Sequence, residues 1–98
     1  MEGREMAATP SGAVSADAVV TASPALLHSV VLVGGSDQAT VILYDNATGA
    51  SGTTLVRLTA AANATTVCNF TKPINATAGM YADVAGTSMF VYVGYSVK

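Results

Sequence analysis

From about residue 18 onward the chain repeats one device: a short apolar run, a few small or polar residues, then another apolar run. The runs are rich in Val and Thr, whose branched side chains fit a pleated strand and lose rotamer freedom in a helix. A short first strand is expected over residues 18–21, with a break at Pro24, and a strong one over 26–33. Further strands are expected over 39–44, 53–59, 65–70, 80–84 and 88–97, with Lys72-Pro73 interrupting after the fifth. Gly34-Gly35-Ser36-Asp37 reads as a turn and "DNATGASG" as a loop. Ala60-Ala61-Ala62 could start a helical turn, but three alanines before an Asn cannot sustain one. Gly94, inside the last strand, predicts a bulge or a close backbone approach. About seven short strands at roughly 8–14-residue spacing signal an all-β fold, a single small antiparallel β-sandwich.

The alternation within the strands divides them into two kinds. Met80, Ala82 and Val84 set an apolar face against the wetter Tyr81 and Asp83. In "SVVLV", "VILY" and "MFVYV", by contrast, both sides are apolar. An antiparallel strand normally keeps one polar side, so a strand that is apolar on both needs a second cover. A chain of 98 residues has no spare helices for this, and another subunit or a larger assembly is the expected cover. A standard interface buries about 800 Å² per partner, within reach of a few such strands.

Composition sharpens that expectation. The chain is 51% hydrophobic and 10% charged, where ordinary soluble domains carry about 25% charged residues. Its length allows one core and no second unit. Glu2, Arg4, Glu5 and Asp17 fall in the first 17 residues, while Asp37, Asp45 and Asp83 balance Arg57, Lys72 and Lys98 in the body. A neutral body has no field to draw in nucleic acid, so no nucleic-acid partner is expected. Low charge favours association between small proteins. Residues 1–17, small, polar and broken by Gly3, Pro10 and Gly12, read as a flexible N-terminal arm ahead of a domain over 18–98. The first residues lack the apolar core of a signal peptide and no run approaches a membrane span, so no membrane partner is expected and the chain reads as made in a cytoplasm. The Asn-Xaa-Thr triplets at Asn46, Asn63, Asn69 and Asn75 are then read as serving turns and strands.

Little in the sequence points to reaction chemistry. Cys68, the only cysteine, lies on the same side of its strand as Thr66 and Phe70 and reads as a small buried hydrophobe. His28, the only histidine, reads as a packed or hydrogen-bonded structural residue, since no ligand partner stands at metal spacing. Asp37, Asp45 and Asp83 lie near expected turns, where Asp caps its own backbone, and each is too isolated for a calcium loop. "VGGSDQ" lacks the spacing of a phosphate loop and precedes a strand. No catalytic, cofactor or metal residue is assigned, and the chain is not expected to be an enzyme. Tyr44, Tyr81, Tyr92 and Tyr95 could form an aromatic platform for a sugar or peptide; the plainer reading packs their rings and wets their hydroxyls.

The order of these segments has a family look. An apolar strand runs into Gly-Gly-Ser-Asp, a second ends in Tyr-Asp-Asn, Ala-Ser-Gly-Thr follows, and then Gly-Met-Tyr-Ala-Asp-Val-Ala-Gly-Thr. Over residues 26–95 the chain resembles small virion proteins from the structural gene clusters of tailed bacteriophages, including cyanobacterial and marine ones. The resemblance implies a β-sandwich, with a jelly-roll-like arrangement among those it allows, and assembly on a virus particle. The expected role is a capsid decoration or cement protein on the head exterior, synthesised in the host cytoplasm. Its expected partners are the major capsid protein and itself, as a dimer or trimer. Residues 1–20 and the exposed sides of the two-faced strands are the expected contact surfaces. A neck, tail or fibre-associated module, or a carbohydrate-binding sandwich using the tyrosines, are the competing expectations.

Overall fold

The computed structural model describes residues 9–98 and contains eight strands. They are β1 (Thr9–Pro10), β2 (Ala18–Thr21), β3 (Ala25–Val33), β4 (Ala39–Asp45), β5 (Thr53–Ala60), β6 (Thr65–Ala76), β7 (Met80–Ala85) and β8 (Phe90–Val97). One sheet has the order β1-β8-β3-β6 and the other β2-β7-β4-β5, with every pairing antiparallel. The first strand therefore pairs with the last, the second with the seventh, the third with the sixth and the fourth with the fifth. That is one long hairpin rolled up on itself, the strand order of a jelly roll. The all-β sandwich expected from the alternation is the fold observed.

The alternation decides what lies between the sheets. Leu27, Val30 and Leu32 of β3 and Val91 and Val93 of β8 point inward from the first sheet. Val41 and Leu43 of β4 and Met80 and Ala82 of β7 meet them from the second, and all are buried. Side chains from two inner faces fill a sandwich core about 10 Å thick. Burial of each Leu is worth about 1.5–3 kcal/mol. Ala25, Ala39, Ala60 and Ala76, also buried, stand at strand ends, where the connections close over the core.

β3 keeps its alternation only by breaking it once. Leu27 pairs with Tyr95 and Ser29 with Gly94, so His28 is an extra residue, a bulge that lets Leu27 and Val30 both face inward. The irregularity that Gly94 foretold is thus carried by its partner strand. On the other side of β3, Leu27 pairs with Ile74 and Ser29 with Asn69. Phe70 through Pro73 therefore have no register partner on β3 and lie opposite His28, and β6 runs on to Ala76. The interruption expected at Lys72-Pro73 is a bulge inside one strand. Proline is tolerated there because β6 is an edge strand and a bulge needs no ladder N–H.

Two other boundaries differ from expectation. The last strand starts at Phe90, two residues late, because Ser88 has a left-handed φ of 57° that no strand accommodates. The two-residue β1 falls in the expected arm: Thr9 pairs with Tyr95 and Pro10 with Gly94, and further along Ser11 N–H donates to Val93 O at 2.8 Å and Val14 bridges Val91. Residues 9–14 thus lie along the edge of β8. The remainder of the arm, residues 1–8, falls outside the described residues.

Gly34 and Gly35 carry the chain from one sheet to the other. A Cβ on Gly34 would strike the carbonyl oxygen of Ala61, and one on Gly35 that of Thr87. Gly34 N–H donates to Ala64 O at 2.7 Å, and Asn63 N–H to Gly35 O at 2.8 Å. The turn expected from "GGSD" is therefore also the point where three connections are pinned together.

Candidate interaction surface

The outward side of the first sheet is built from three rows of cross-strand partners. Val33 lies between Thr65 and Phe90, Val31 between Val67 and Tyr92, and Ser29 between Asn69 and Gly94. None of these nine residues is charged. Val67 is 58% exposed, Tyr92 43% and Phe90 41%, high values for large apolar side chains. Val97, also exposed, pairs with the buried Ala25 and so belongs to the inner side, at the end of β8. The two-faced strands "SVVLV" and "MFVYV" supply five of the nine: Ser29, Val31, Val33, Phe90 and Tyr92. Val67 was not anticipated, because its outward neighbours along β6 are the polar Thr65 and Asn69.

The outward side of the second sheet has a different character. Its rows are Val19-Tyr81-Tyr44-Thr54, Asp83-Ile42-Arg57 and Ala85-Thr40-Thr59. A carboxylate and a guanidinium therefore flank Ile42, and exposed threonines line the β5 edge. The four tyrosines do not converge. Tyr44 and Tyr81 are direct cross-strand neighbours here, Tyr92 is on the opposite face, and Tyr95 packs against the core.

The remaining candidate residues have structural positions. His28, at the bulge, sets its Nε2 2.8 Å from the Oγ of the buried Ser96. Cys68 is half-buried on the inner side of β6 with Thr66 and Phe70, less enclosed than expected because β6 is an edge. Asp45 caps a different loop from its own. It accepts from Thr77 N–H at 3.1 Å, Thr77 Oγ1 at 2.8 Å and Ala78 N–H at 2.8 Å. The Ala78 amide, ahead of the Thr77 groups, holds its carboxyl below the usual value of 3.8, against a smaller opposing effect of burial. Asp37 accepts from Thr87 Oγ1 at 3.1 Å, across from the β7–β8 turn. Asp83 corrects the turn expectation: it stands mid-strand in β7, opposite Ile42. Asn46 does serve a turn, its Oδ1 accepting from Thr48 N–H at 2.8 Å and Gly49 N–H at 2.9 Å.

Among the described residues there is no concave pocket and no cluster of three or more metal-ligating side chains. No helix among the described residues is long and apolar enough to cross a membrane. No family model, curated protein or solved structure matches the chain.

Proposed function

We propose that the chain is a non-enzymatic structural protein of a virus particle, a capsid decoration protein that binds the exterior of a tailed-phage head. The observation that carries this reading is the uncharged apolar outer face of the first sheet, on a jelly roll with no concave pocket among its described residues. A broad, exposed apolar patch of this kind marks a surface that meets another protein. The virion setting itself comes from the sequence resemblance over residues 26–95. Many copies that bind the assembled lattice of the major capsid protein, and not its free subunits, stabilise that lattice by mass action.

Co-sedimentation with expanded phage heads that lack the protein tests the role. Saturable binding at a fixed ratio per capsid subunit is expected, and the ratio identifies the symmetry site. A folded protein that leaves heads bare overturns the decoration role and moves the assignment to the neck or tail. The Tyr44–Tyr81 pair, with exposed Val19 beside it, favours a second reading as a flat carbohydrate-binding face. Glycan-array binding that is lost in Tyr81→Ala would establish that reading instead.

A further inference from the structure

We propose that the outer face of the β2-β7-β4-β5 sheet is covered by the same face of a second copy of this chain, about a two-fold axis that runs along β4, so that Asp83 of each copy meets Arg57 of the other. The pairing does not rest on the capsid reading, since it leaves the outer face of the first sheet free.

The need for a cover comes from β4. Its run "VILY" is apolar on both sides; Val41 and Leu43 are buried in the core, while Ile42 and Tyr44 face outward and are only half-buried. An antiparallel sheet with such a strand at its centre calls for a second layer.

Charge selects that layer. The three rows of this face hold two charged side chains, Asp83 on β7 and Arg57 on β5, in register on either side of Ile42. They have opposite sign and stand one strand spacing, about 5 Å, from the central strand. In a two-fold interface residue i meets j while j meets i. Turning one sheet onto the other about an axis along β4 exchanges the β7 and β5 sides and keeps each row at its own level. Asp83 then lies over Arg57 twice, and Ile42 over Ile42. An axis across the strands would instead set Asp83 against Asp83 and Arg57 against Arg57, and like charges in contact oppose association. The two charges thus fix the direction of stacking as well as the partner.

The flanking rows accept the same axis. Tyr44 meets Tyr44, which suits an offset or edge-to-face pair of rings, and Tyr81 meets Thr54. Thr40 meets Thr40 and Ala85 meets Thr59, so no further charge is brought in. The uncharged rows of the first sheet express no such preference for their own kind.

Sedimentation equilibrium of the whole chain tests the pairing through charge reversal, which an outside partner cannot mimic. Arg57 is exposed and Asp83 half-buried, and far-ultraviolet circular dichroism melts verify that each variant folds. A wild-type dimer is expected, weakened about 100-fold or more by Asp83→Arg alone or by Arg57→Asp alone. The double variant Asp83→Arg/Arg57→Asp restores opposite pairs and is expected to dimerise as the parent does. An equimolar mixture of the two single variants is expected to form a heterodimer, which decides the matter even where the double variant does not fold. A wild type that is monomeric at about 100 µM, a dimer indifferent to both single reversals, or single variants that fail to pair with each other overturns the proposal. A monomer whose glycan binding is lost in Tyr81→Ala also overturns it and gives the face to a sugar. Wild-type dimers that leave phage heads bare support the pairing while the decoration role falls, and a monomer that coats heads does the reverse.

Discussion

Gly35 passes so close to the carbonyl oxygen of Thr87 that no side chain fits between them. Ser36 N–H also donates to that oxygen, at 3.1 Å, so the β3–β4 and β7–β8 connections are locked at one point. The obstacle is backbone, which cannot swing aside as a flexible side chain can. Gly35→Ala is expected to cost about 3 kcal/mol, at or above the usual range for overpacking, and Gly34→Ala a similar amount through Ala61 O. Urea midpoints of the two variants measure this; unchanged midpoints would show that the connections separate freely.

Asp45 ties the end of β4 to the β6–β7 turn through three hydrogen bonds to its carboxylate. Its folded pKa lies below the unfolded 3.8, so its contribution is fully present above pH 3.8 and fades as pH falls through the folded value. Asp45→Ala is expected to lose about 1 kcal/mol near pH 6, allowing for partial exposure. Below the folded pKa the variant and the parent should converge. Paired urea melts from pH 6 down to pH 2 would show that convergence, and a constant gap would place the loss elsewhere.

Inner and outer positions of the sandwich should differ sharply in what they contribute to stability. Leu43 is fully buried, and Leu43→Ala should destabilise by about 3 kcal/mol through lost transfer energy and a cavity. Val67→Ala should change the stability of the isolated chain by less than about 0.5 kcal/mol, since the side chain is mostly in solvent. Chemical denaturation at micromolar concentration distinguishes the two; a Val67→Ala loss as large as that of Leu43→Ala would mean that the outer face is already packed.

Ser96 is buried beside the His28 imidazole on the outward side of the bulge. Ser96→Ala removes the partner of Nε2 and is expected to cost about 1 kcal/mol, or roughly 4–8 °C in Tm for a domain of this size. Calorimetry measures it, and a Tm equal to the parent's would show that water replaces the hydroxyl at no cost.

Much of the architecture was legible because local chemistry encodes it. Val- and Thr-rich runs mark strands, and Gly, Asn and Asp mark the connections at Gly34-Gly35 and Asn46. The elements that were misread depend on distant partners. A bulge absorbs Lys72-Pro73 only because β3 inserts His28 opposite it, and Thr9-Pro10 is a strand only because β8 lies alongside. Ser88 shortens the last strand through a left-handed backbone that serine does not advertise. For the candidate surface, alternation marked the β3 and β8 runs as apolar on both sides without saying which side would face out, and it missed Val67, which stands between Thr65 and Asn69 on the outward side of β6.

By itself the sequence determined the strands, their low charge and the excess of apolar positions over what one core can bury. Side-chain alternation is a local property of an extended backbone, so it labels two sides of every strand. When both sides are apolar, however, it does not say which one faces the core. The tertiary structure decided that, by pairing the first strand with the last and the third with the sixth, and by shifting the phase of β3 at His28. Leu27, Val30 and Leu32 went inside because the second sheet closes over them, and Val31 and Val33, which alternate with Val30 and Leu32, were left outside.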